Sequence, residues 1–379
     1  MAFHILIIGG GIGGLSAAIA LRRAGVSVAV YERAAQFGEA GAGVTMTPPG
    51  LRAMDALGLG EEVIALSDNV ARTAFYQWDT GEFIKTSEPA PGATIMDQVR
   101  VLHRTDLHKL LLERAVAAGA QVHTGHALAD FAQDAQGVSA RFANGQTARG
   151  DALIGADGLR SLVRGALLGL EAPRRTGIVA FRALLPRVLV ADLMEDYESK
   201  VDVGANANFV RYTVRHGQVL NCVGLARSDM GGEENWSTPA TRAEFKAHFA
   251  GWNAHVYALI DRIPEHMLFK WPLFDRDPIA EWRVGRVALL GDAAHPMLPF
   301  LGIGATMAQE DAVVLGASMA GAPSVEQGLA AYVAARQPRA AEVTHASRAQ
   351  GEWIMGKGVA DAFRQELKRN PVMDYDVRR

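Results

Sequence analysis

The chain has 379 residues, of which 49% are hydrophobic and 21% charged, and its formal net charge is −3. Because this length exceeds what one hydrophobic core usually supports, about two domains are expected. The balanced charge predicts neither a nucleic-acid partner nor a disordered acidic tail. The single cysteine, Cys222, excludes an intramolecular disulfide and a cysteine metal cluster and is expected to be a small buried hydrophobe; no metal site is predicted.

The sequence contains no run of about 18 apolar residues, so no membrane span is predicted. The N-terminus enters an apolar segment directly, without the basic region and cleavage site of a secretory signal. These features predict a cytoplasmic protein, and the sequence does not separate a monomer from a homodimer.

An apolar run over residues 5–8 leads into a glycine-rich turn. Gly9, Gly11 and Gly14 fit G-x-G-x-x-G, the pattern that joins strand to helix in dinucleotide-binding βαβ units. The first glycine permits the tight turn, the second lets a pyrophosphate approach the backbone, and the third lets helix and strand pack closely. A second apolar strand ends at Glu32, 21 residues beyond Gly11, where a ribose hydroxyl would lie. The segment predicts a dinucleotide site with the phosphates at a helix N-terminus.

Further along the chain, hydrophobic periodicity predicts several elements. Helical spacing covers 50–66, 104–118, 239–262 and 303–320, and short strands are predicted at 121–123, 137–142, 151–154, 209–214 and 219–225. Alternation over 68–97 and again from 177 to 274 indicates an antiparallel sheet inserted into an α/β scaffold. The predicted division gives 1–72, 98–176 and 275–350 to a discontinuous cofactor domain, 73–97 and 177–274 to a substrate domain, and 351–379 to a C-terminal helical segment.

Two more strands are predicted to end near an acid. One precedes Asp157 within Gly-Ala-Asp-Gly. A simple helix cap would explain this aspartate as well as a cofactor contact does. The other precedes Asp292 in a Pro/Gly loop that leads into a helix. His295 lies close to Asp292 in the sequence, which suggests acid–base chemistry, but a structural histidine in a cofactor loop is the preferred interpretation.

These three segments, in this order, resemble the single-component FAD-dependent aromatic hydroxylases of class A, the salicylate, hydroxybenzoate and hydroxynicotinate type. The resemblance covers nearly the whole chain and includes His103–Leu107 and Lys270–Pro278. It implies an α/β fold, with a Rossmann-like FAD-binding domain carrying an inserted, mainly antiparallel β-sheet substrate domain. An NAD dehydrogenase would need the first motif and neither of the others.

The resemblance also implies the chemistry. NADH or NADPH reduces FAD, O₂ forms a flavin C4a-hydroperoxide, and oxygen passes to a small aromatic or N-heteroaromatic substrate. The chain has no second G-x-G-x-x-G for NAD(P)H, in agreement with a donor that binds transiently. Two alternatives stay open: a hydroxylase or epoxidase of an isoprenoid or polycyclic compound, and a non-catalytic FAD-binding redox sensor.

The resemblance assigns FAD contacts residue by residue. The implied contacts are Gly9, Gly11, Gly14, Glu32, Arg33, Arg104, Leu128, Asp157, Asp292, Gly304, Ala305 and Thr306. Arg104 would reach the pyrophosphate, where a guanidinium offers charge and a fork of donors, and Leu128 would border the adenine. The helix start at Gly304 would direct N–H groups at the flavin and stabilise negative charge there.

Pro299 and Tyr212 are the implied catalytic residues. Pro299 matches a loop proline near the reacting oxygen. Its presence is explained equally well by a purely structural role, in which the proline ends the preceding segment before a helix begins. On an alternating strand, Arg211 shares a face with Phe209, and Tyr212 lies on the other face. Tyr212 is the stronger pocket candidate. Arg182 and Arg211 could pair with a substrate carboxylate, but each could equally be a surface charge.

Two positions depart from the family pattern. Thr45 stands where related hydroxynicotinate enzymes carry a histidine, and Ile303 stands where the hydroxybenzoate branch commonly has a glutamine. Both are expected to contact substrate. The loss of two polar groups predicts an apolar pocket without an obvious general base, and Ile303 mildly favours the isoprenoid alternative.

Overall fold

Helices and strands alternate in the first part of the chain, and strands dominate its middle. The computed structural model describes residues 3–38, 41–70, 72–169, 173–194, 199–229, 238–356 and 370–379. Its strands are β1 (His4–Ile8), β2 (Ser27–Tyr31), β3 (Gly43–Met46), β4 (Asp68–Asn69), β5 (Thr73–Gln77), β6 (Phe83–Ser87), β7 (Arg100–His103), β8 (Gln121–His123), β9 (Leu128–Asp134), β10 (Gly137–Phe142), β11 (Thr147–Gly150), β12 (Ala152–Gly155), β13 (Arg174–Pro186), β14 (Ser199–Gly204), β15 (Ala207–Val214), β16 (Val219–Arg227), β17 (Thr238–Pro239), β18 (Leu268–Asp275), β19 (Arg283–Val284) and β20 (Val287–Leu289). Its helices are α1 (Ile12–Arg23), α2 (Pro48–Ala56), α3 (Gly60–Leu66), α4 (Arg104–Ala117), α5 (Leu162–Leu168), α6 (Arg242–His248), α7 (Ala254–Arg262), α8 (Gly304–Met319) and α9 (Val325–Ile354).

A six-stranded sheet forms the scaffold of the predicted cofactor domain. Its strand order is β19-β20-β12-β1-β2-β8, and all neighbours are parallel except β19 and β20. Ile5, Leu6 and Ile7 of β1 are fully buried, which explains why this strand reads as a continuous apolar run rather than an alternating one. The carboxyl ends of the parallel strands share one edge, where ligands bind in open α/β sheets.

An eight-stranded sheet forms the second half of the fold, in the order β17-β18-β13-β16-β15-β14-β5-β6. Only β14 and β5 pair in parallel within it. The predicted α/β fold with an inserted, mainly antiparallel sheet is confirmed. The domain boundaries stay a prediction, and β13 already begins at Arg174, just before the predicted start of the insert. Residues 357–369 of the predicted C-terminal segment lie outside the described residues.

One face of the eight-stranded sheet packs against α6 and α7. Phe181 and Phe209 from the sheet meet Phe245 and Phe249 from the helices, and the two rings of Phe181 and Phe245 stack with centroids 4.6 Å apart. Cys222 is fully buried in this core, as predicted, and burial raises the pKa of its thiol to about 12. The opposite face of the sheet, which carries Tyr212 and Asn221, faces the cofactor half.

Buried ion pairs join α8 to α9. Asp311 of α8 accepts hydrogen bonds from the Nε atom of Arg336 in α9 at 2.7 Å and from His295 Nε2 at 2.6 Å. Glu310 pairs with Arg336 at 2.8 Å, and both side chains are fully buried. His295 is thus held as a structural residue by Asp311, as preferred from the sequence. Within the described ranges, no helix is both long and apolar enough to cross a membrane.

Removing one partner of this network is expected to destabilise the fold strongly. Asp311→Asn leaves the Arg336 guanidinium buried with less compensation, which costs about 3–5 kcal/mol in buried pairs. Urea unfolding measures the loss. Asp130→Asn, which breaks an exposed ion pair with Arg141, is the matched control and should leave the unfolding curve nearly unchanged. Equal unfolding curves for the two variants would show that the buried network contributes no more to stability than the exposed ion pair does.

The lowered pKa of Asp311 also predicts that the folded protein loses stability in acid. Burial alone would raise the pKa of Asp311, but the charges of His295 and Arg336 and their hydrogen bonds lower it to about 2. The folded pKa lies below the unfolded value, so the stabilisation is complete above about pH 4 and is lost as the pH falls towards 2. Thermal unfolding between pH 5 and about 2 should show a shallower decline for Asp311→Asn than for the unaltered chain.

Candidate active site

Two glycines of the first turn leave no space for a side chain. Gly9 has a φ of 108°, and a Cβ there would lie 2.3 Å from the carbonyl oxygen of Ala156. A Cβ on Gly14 would lie 2.0 Å from the carbonyl oxygen of Gly9. A Cβ on Gly11 would meet no atom within 4 Å. Gly9 and Gly14 thus serve the turn itself, whereas Gly11 leaves its backbone open to a ligand.

The N-termini of α1 and α8 lie side by side. A Cβ on Gly13 would lie 3.2 Å from the Cβ of Ala308, and a Cβ on Gly316 would lie 2.8 Å from the Cβ of Ala20. The first contact lies near the start of both helices and the second lies further along both, so the helices run parallel. A Cβ on Gly304, the first residue of α8, would meet no atom within 4 Å. The unpaired N–H groups of both helices therefore face one crevice and make it favourable for negative charge.

The start of α8 presents its backbone rather than its side chains. Gly304 and Ala305 are half-buried, whereas Thr306 is fully buried. The Thr306 hydroxyl lies 2.8 Å from the hydroxyl of Thr47, the N-cap residue of α2. The structure therefore places the amide groups of residues 304 and 305 at the crevice and uses the Thr306 side chain to hold α8 against α2.

Glu32 lies beside the glycine turn at the end of β2. Its carboxylate accepts hydrogen bonds from the N–H groups of Gly10 at 2.8 Å and Ala34 at 2.9 Å. A carboxylate has about four acceptor positions, so Glu32 keeps capacity for a ribose hydroxyl. Arg33 follows it and is exposed. The structure brings Glu32 to the glycine turn, and contact between Arg33 and FAD stays a prediction.

Arg104 and Asp292 come together from distant parts of the chain. Arg104 begins α4, and its N–H donates to the carbonyl of Ala42 at 2.8 Å. Solvent reaches the Asp292 carboxylate, yet the walls of the crevice bury it enough to raise its pKa, while the charges of His295 and Arg104 act in the opposite direction. A carboxylate and a guanidinium thus lie near each other in a solvent-accessible crevice, as a polar ligand requires.

Asp157 caps a helix. Its carboxylate accepts hydrogen bonds from the N–H groups of Leu162 at 2.8 Å and Val163 at 3.2 Å at the start of α5, and burial raises its pKa. The helix-cap interpretation is therefore observed, although Asp157 also follows Ala156 directly and so lies beside the Gly9 turn. Leu128 begins β9 and packs, half-buried, against the core of the cofactor half.

Tyr212 reaches from the eight-stranded sheet to the cofactor half. Its side chain hydrogen-bonds to Thr45, and burial raises the pKa of Tyr212 to about 12. A Cβ on Gly43 would lie 2.5 Å from the Tyr212 hydroxyl oxygen, and a Cβ on Gly302 would lie 3.1 Å from the Cβ of Thr45. Tyr212, Thr45 and the loop before α8 therefore meet at one place.

Arg211 lies on the opposite face of the same strand. It forms a buried ion pair with Asp202 and lies over the Phe209 ring, 5.9 Å from its centroid. Asp202 also accepts a hydrogen bond from Asn253, the N-cap residue of α7, at 2.9 Å. The structure therefore excludes a surface charge at Arg211 and does not bring it to Tyr212; it stabilises the contact between the sheet and the helices.

Arg182 shares the Tyr212 face of the sheet, with β16 between their strands. It is 8% exposed, so it is not a surface charge either, and its guanidinium lies 5.2 Å from the centroid of the Trp271 ring. Ile303 is 1% exposed and belongs to the core of the cofactor half. Burial alone does not exclude a pocket residue, since Arg182 is also buried, and contact between Ile303 and a substrate stays a prediction.

Pro299 is exposed in a short 3₁₀ turn over Pro299–Leu301. The carbonyl of Leu298 accepts a hydrogen bond of 2.6 Å from the Ser347 hydroxyl of α9, which anchors the loop. Gly302 ends the turn with a φ of 62° beside Thr45. The loop thus lies between α9, the Tyr212 and Thr45 side chains, and the N-terminus of α8.

Sequence reasoning missed Asn221 and His108. The Oδ1 atom of Asn221 accepts from the Gly43 N–H at 3.2 Å, and Asn221 pairs with Tyr212 across neighbouring strands, so both side chains occupy one face. The alternation along 219–225 contains that signal, but the pairing register does not follow from it. His108 Nε2 lies 2.7 Å from the carbonyl oxygen of Gly10 and supports the glycine turn from α4.

The open position at Gly11 gives a direct test of the dinucleotide site. Gly11→Val should fold normally, because no protein atom lies where its Cβ would be, and should lose bound FAD, because the side chain would occupy the ligand's place. Flavin absorbance per protein and circular dichroism measure both. Gly14→Val is the control and should impair folding itself through contact with the Gly9 carbonyl. Full flavin content in Gly11→Val would contradict the site.

Comparison with known proteins agrees with this geometry. A sequence profile described as an FAD binding domain matches residues 2–347. The chain is 34% identical to 3-hydroxybenzoate 6-hydroxylase of Polaromonas naphthalenivorans, over 98% of this chain and 94% of that protein. It is 36% identical to 3-amino-4-hydroxybenzoate 2-monooxygenase of Streptomyces platensis, over 96% and 91%. The crystal structure of Klebsiella pneumoniae HpxO with FAD and uric acid superposes with a TM-score of 0.86 at 28% identity, over 96% and 93%. The chain therefore belongs to the FAD-binding-domain family and, within it, to the class A FAD-dependent aromatic hydroxylases.

Proposed function

We propose that this chain is an FAD-dependent monooxygenase that uses NAD(P)H and O₂ to hydroxylate a small hydroxylated aromatic acid. The observation that carries the proposal is the meeting of Tyr212, Thr45 and Gly302 next to the N-terminus of α8. A substrate held there would lie between the polar face of the sheet and the cofactor crevice. Both curated relatives described above are named for hydroxybenzoate substrates, which supports the substrate class.

The residues that face the crevice fit FAD. We assign the pyrophosphate to the backbone at Gly11 and to Arg104, the ribose to Glu32, and the ribityl chain to Asp292. Gly9 and Gly14 would hold the turn that permits this approach. FAD, when bound, supplies acceptance of hydride from the nicotinamide nucleotide and activation of O₂ for transfer to the ring.

The N-terminus of α8 has an electrostatic task in this assignment. The N–H groups at Gly304 and Ala305 would face the flavin ring, because Gly304 opens onto free space and α8 begins there. Unpaired amide donors at a helix start stabilise negative charge, and the protein holds them in place before the reaction. They would favour the reduced, anionic form of the cofactor.

The sheet supplies the substrate's hydrogen bonds. Because burial raises its pKa to about 12, Tyr212 is neutral near pH 7, so it can donate a hydrogen bond to the substrate but does not act as a general base. Thr45 and Asn221 lie beside it and are also neutral. Val210 and Val223 line the neighbouring row of this face and would limit water around the ring. Arg182, a buried cation on this face, could pair with a substrate carboxylate.

The two alternatives raised by the sequence lose support. The isoprenoid or polycyclic substrate was only mildly favoured by Ile303, whereas both curated relatives described above are named for small hydroxylated aromatic acids. A non-catalytic redox sensor would not need a polar sheet face aligned with the cofactor crevice, and the relatives described above are enzymes by name.

The reaction class is tested by NAD(P)H oxidation. Aromatic acids that carry a hydroxyl or amino group should stimulate oxidation of NADH or NADPH by the FAD-loaded protein, and the product mass should increase by one oxygen atom. Catalase-corrected O₂ consumption separates hydroxylation from uncoupled peroxide release. If no aromatic compound in a broad panel stimulates oxidation, the proposed activity is wrong.

The pocket is tested by Tyr212→Phe. Loss of one hydrogen bond to the substrate should raise the KM for the aromatic substrate about tenfold and lower the fraction of NAD(P)H coupled to product, with flavin content unchanged. Tyr257→Phe is a matched control, because the Tyr257 hydroxyl donates to the carbonyl of Phe249 in the helical layer. A drop in flavin content with an unchanged KM would show that Tyr212 serves the cofactor and not the substrate.

A further inference from the structure

A second cavity lies at the end of the eight-stranded sheet where β13 begins and β16 ends. It has a volume of about 250 Å³, and four arginines line it together with one acid, Glu352. The arginines are Arg174, Arg175, Arg227 and Arg348. This excess of positive charge at a concave surface favours an anionic ligand.

A β-bulge directs the arginines of β13 into this cavity. Its pairing with β18 shifts register between Arg175 and Val179, and Gly177 within the bulge has a φ of 67°. The Thr176 hydroxyl donates to the carbonyl of Leu273 at 2.8 Å and holds the bulge in place. A regular strand would send neighbouring side chains to opposite faces, whereas residues 174–176 all line one cavity.

The charges in the cavity are only partly balanced. Arg174 and Arg348 both donate to the buried carboxylate of Asp275, at 2.5 and 2.6 Å, and Arg348 also pairs with Asp277 at 2.8 Å, so these two guanidinium groups are neutralised. Arg175 and Arg227 are exposed and form no ion pair within the described ranges. Their guanidinium groups thus keep their donors for a ligand, and the planar fork of arginine matches the oxygens of a phosphate.

The cavity borders the loop of the candidate active site. Leu298 and Phe300, on either side of Pro299, line it, and Gly302 at the other end of this loop lies beside Thr45. Five residues span at most about 18 Å, so a ligand held at the arginines is within one nucleotide's reach of the reaction site.

We propose that this cavity binds the phosphate groups of the nicotinamide nucleotide that reduces the enzyme. The proposal rests on the proposed function, which requires NAD(P)H. The volume is below the range of about 300–1,000 Å³ of pockets that enclose whole ligands, so the cavity holds the phosphates while the remainder of the nucleotide lies outside it. The sequence has no second G-x-G-x-x-G, which agrees with a donor that binds transiently at the surface.

The test is a fluorescence titration of the FAD-loaded protein with NADH and with NADPH, without aromatic substrate. Arg175→Ala should raise the Kd about tenfold, the size of one lost charge-assisted contact, and adding Arg227→Ala should raise it further. Inorganic pyrophosphate should compete with the nucleotide in the unaltered protein and lose this effect in the double variant. Arg187→Ala, at the far end of β13, is the control and should leave the Kd unchanged.

The two nucleotides separate the sources of the phosphate. Equal weakening of NADH and NADPH places the pyrophosphate in the cavity, whereas weakening of NADPH alone places the 2′-phosphate there. Unchanged Kd values for both nucleotides in the double variant, or a raised KM for the aromatic substrate alone, would overturn the proposal. Because the titration needs no turnover, loss of nucleotide binding in the variant would stand even if no aromatic compound proved to be a substrate.

Discussion

Close parallel packing of α1 on α8 is the constraint on which the candidate active site depends. Small residues at Gly13, Ala308, Gly316 and Ala20 let the two backbones approach. A larger side chain at any of these positions would separate the helices and with them the two N-termini that face the crevice. A pair of aligned helix starts concentrates unpaired N–H groups at the crevice, where the Arg104 guanidinium adds a positive charge.

The charges behind α8 serve this packing. Asp311 accepts from the Gly291 N–H at 3.0 Å as well as from His295 and Arg336, so one carboxylate ties the loop before α8 to α9. Buried ion pairs of this kind contribute little net stability compared with apolar packing, but they tolerate few alternative arrangements. The network therefore fixes how the strand end that carries Asp292 meets the helix.

Local patterns in the sequence predicted most of the cofactor half and little of the substrate pocket. The roles of Gly9, Gly11 and Gly14 follow from spacing, because a turn between a strand and a helix involves neighbours in the chain. Strand alternation also separated Tyr212 from Arg211 correctly. Partners that are distant in the sequence could not be predicted, since register depends on the whole sheet.

The position of Ile303 shows a different limit. The expected substrate contact followed from the family resemblance, whereas the side chain is 1% exposed and packs in the core of the cofactor half, so this contact stays a prediction. Likewise, the bulge after Arg175 reverses the face that alternation would assign. Ile303 and Arg175 both lie where the backbone is irregular, so hydrophobic periodicity does not predict the direction of their side chains.

Recognition and charge stabilisation are divided between the two halves of the fold. The eight-stranded sheet offers neutral donors and acceptors at Tyr212 and Asn221, and Thr45 of β3 lies beside them; none of these groups is suited to remove a proton at neutral pH. The helix starts at Gly11 and Gly304 offer positive potential without a titratable group. An aromatic ring bound between them would be oriented by the sheet, while negative charge that develops during the reaction would be stabilised from the helices. Because neither contribution depends on a side chain that titrates near pH 7, we expect the pH dependence of hydroxylation to follow the ionisation of the substrate itself.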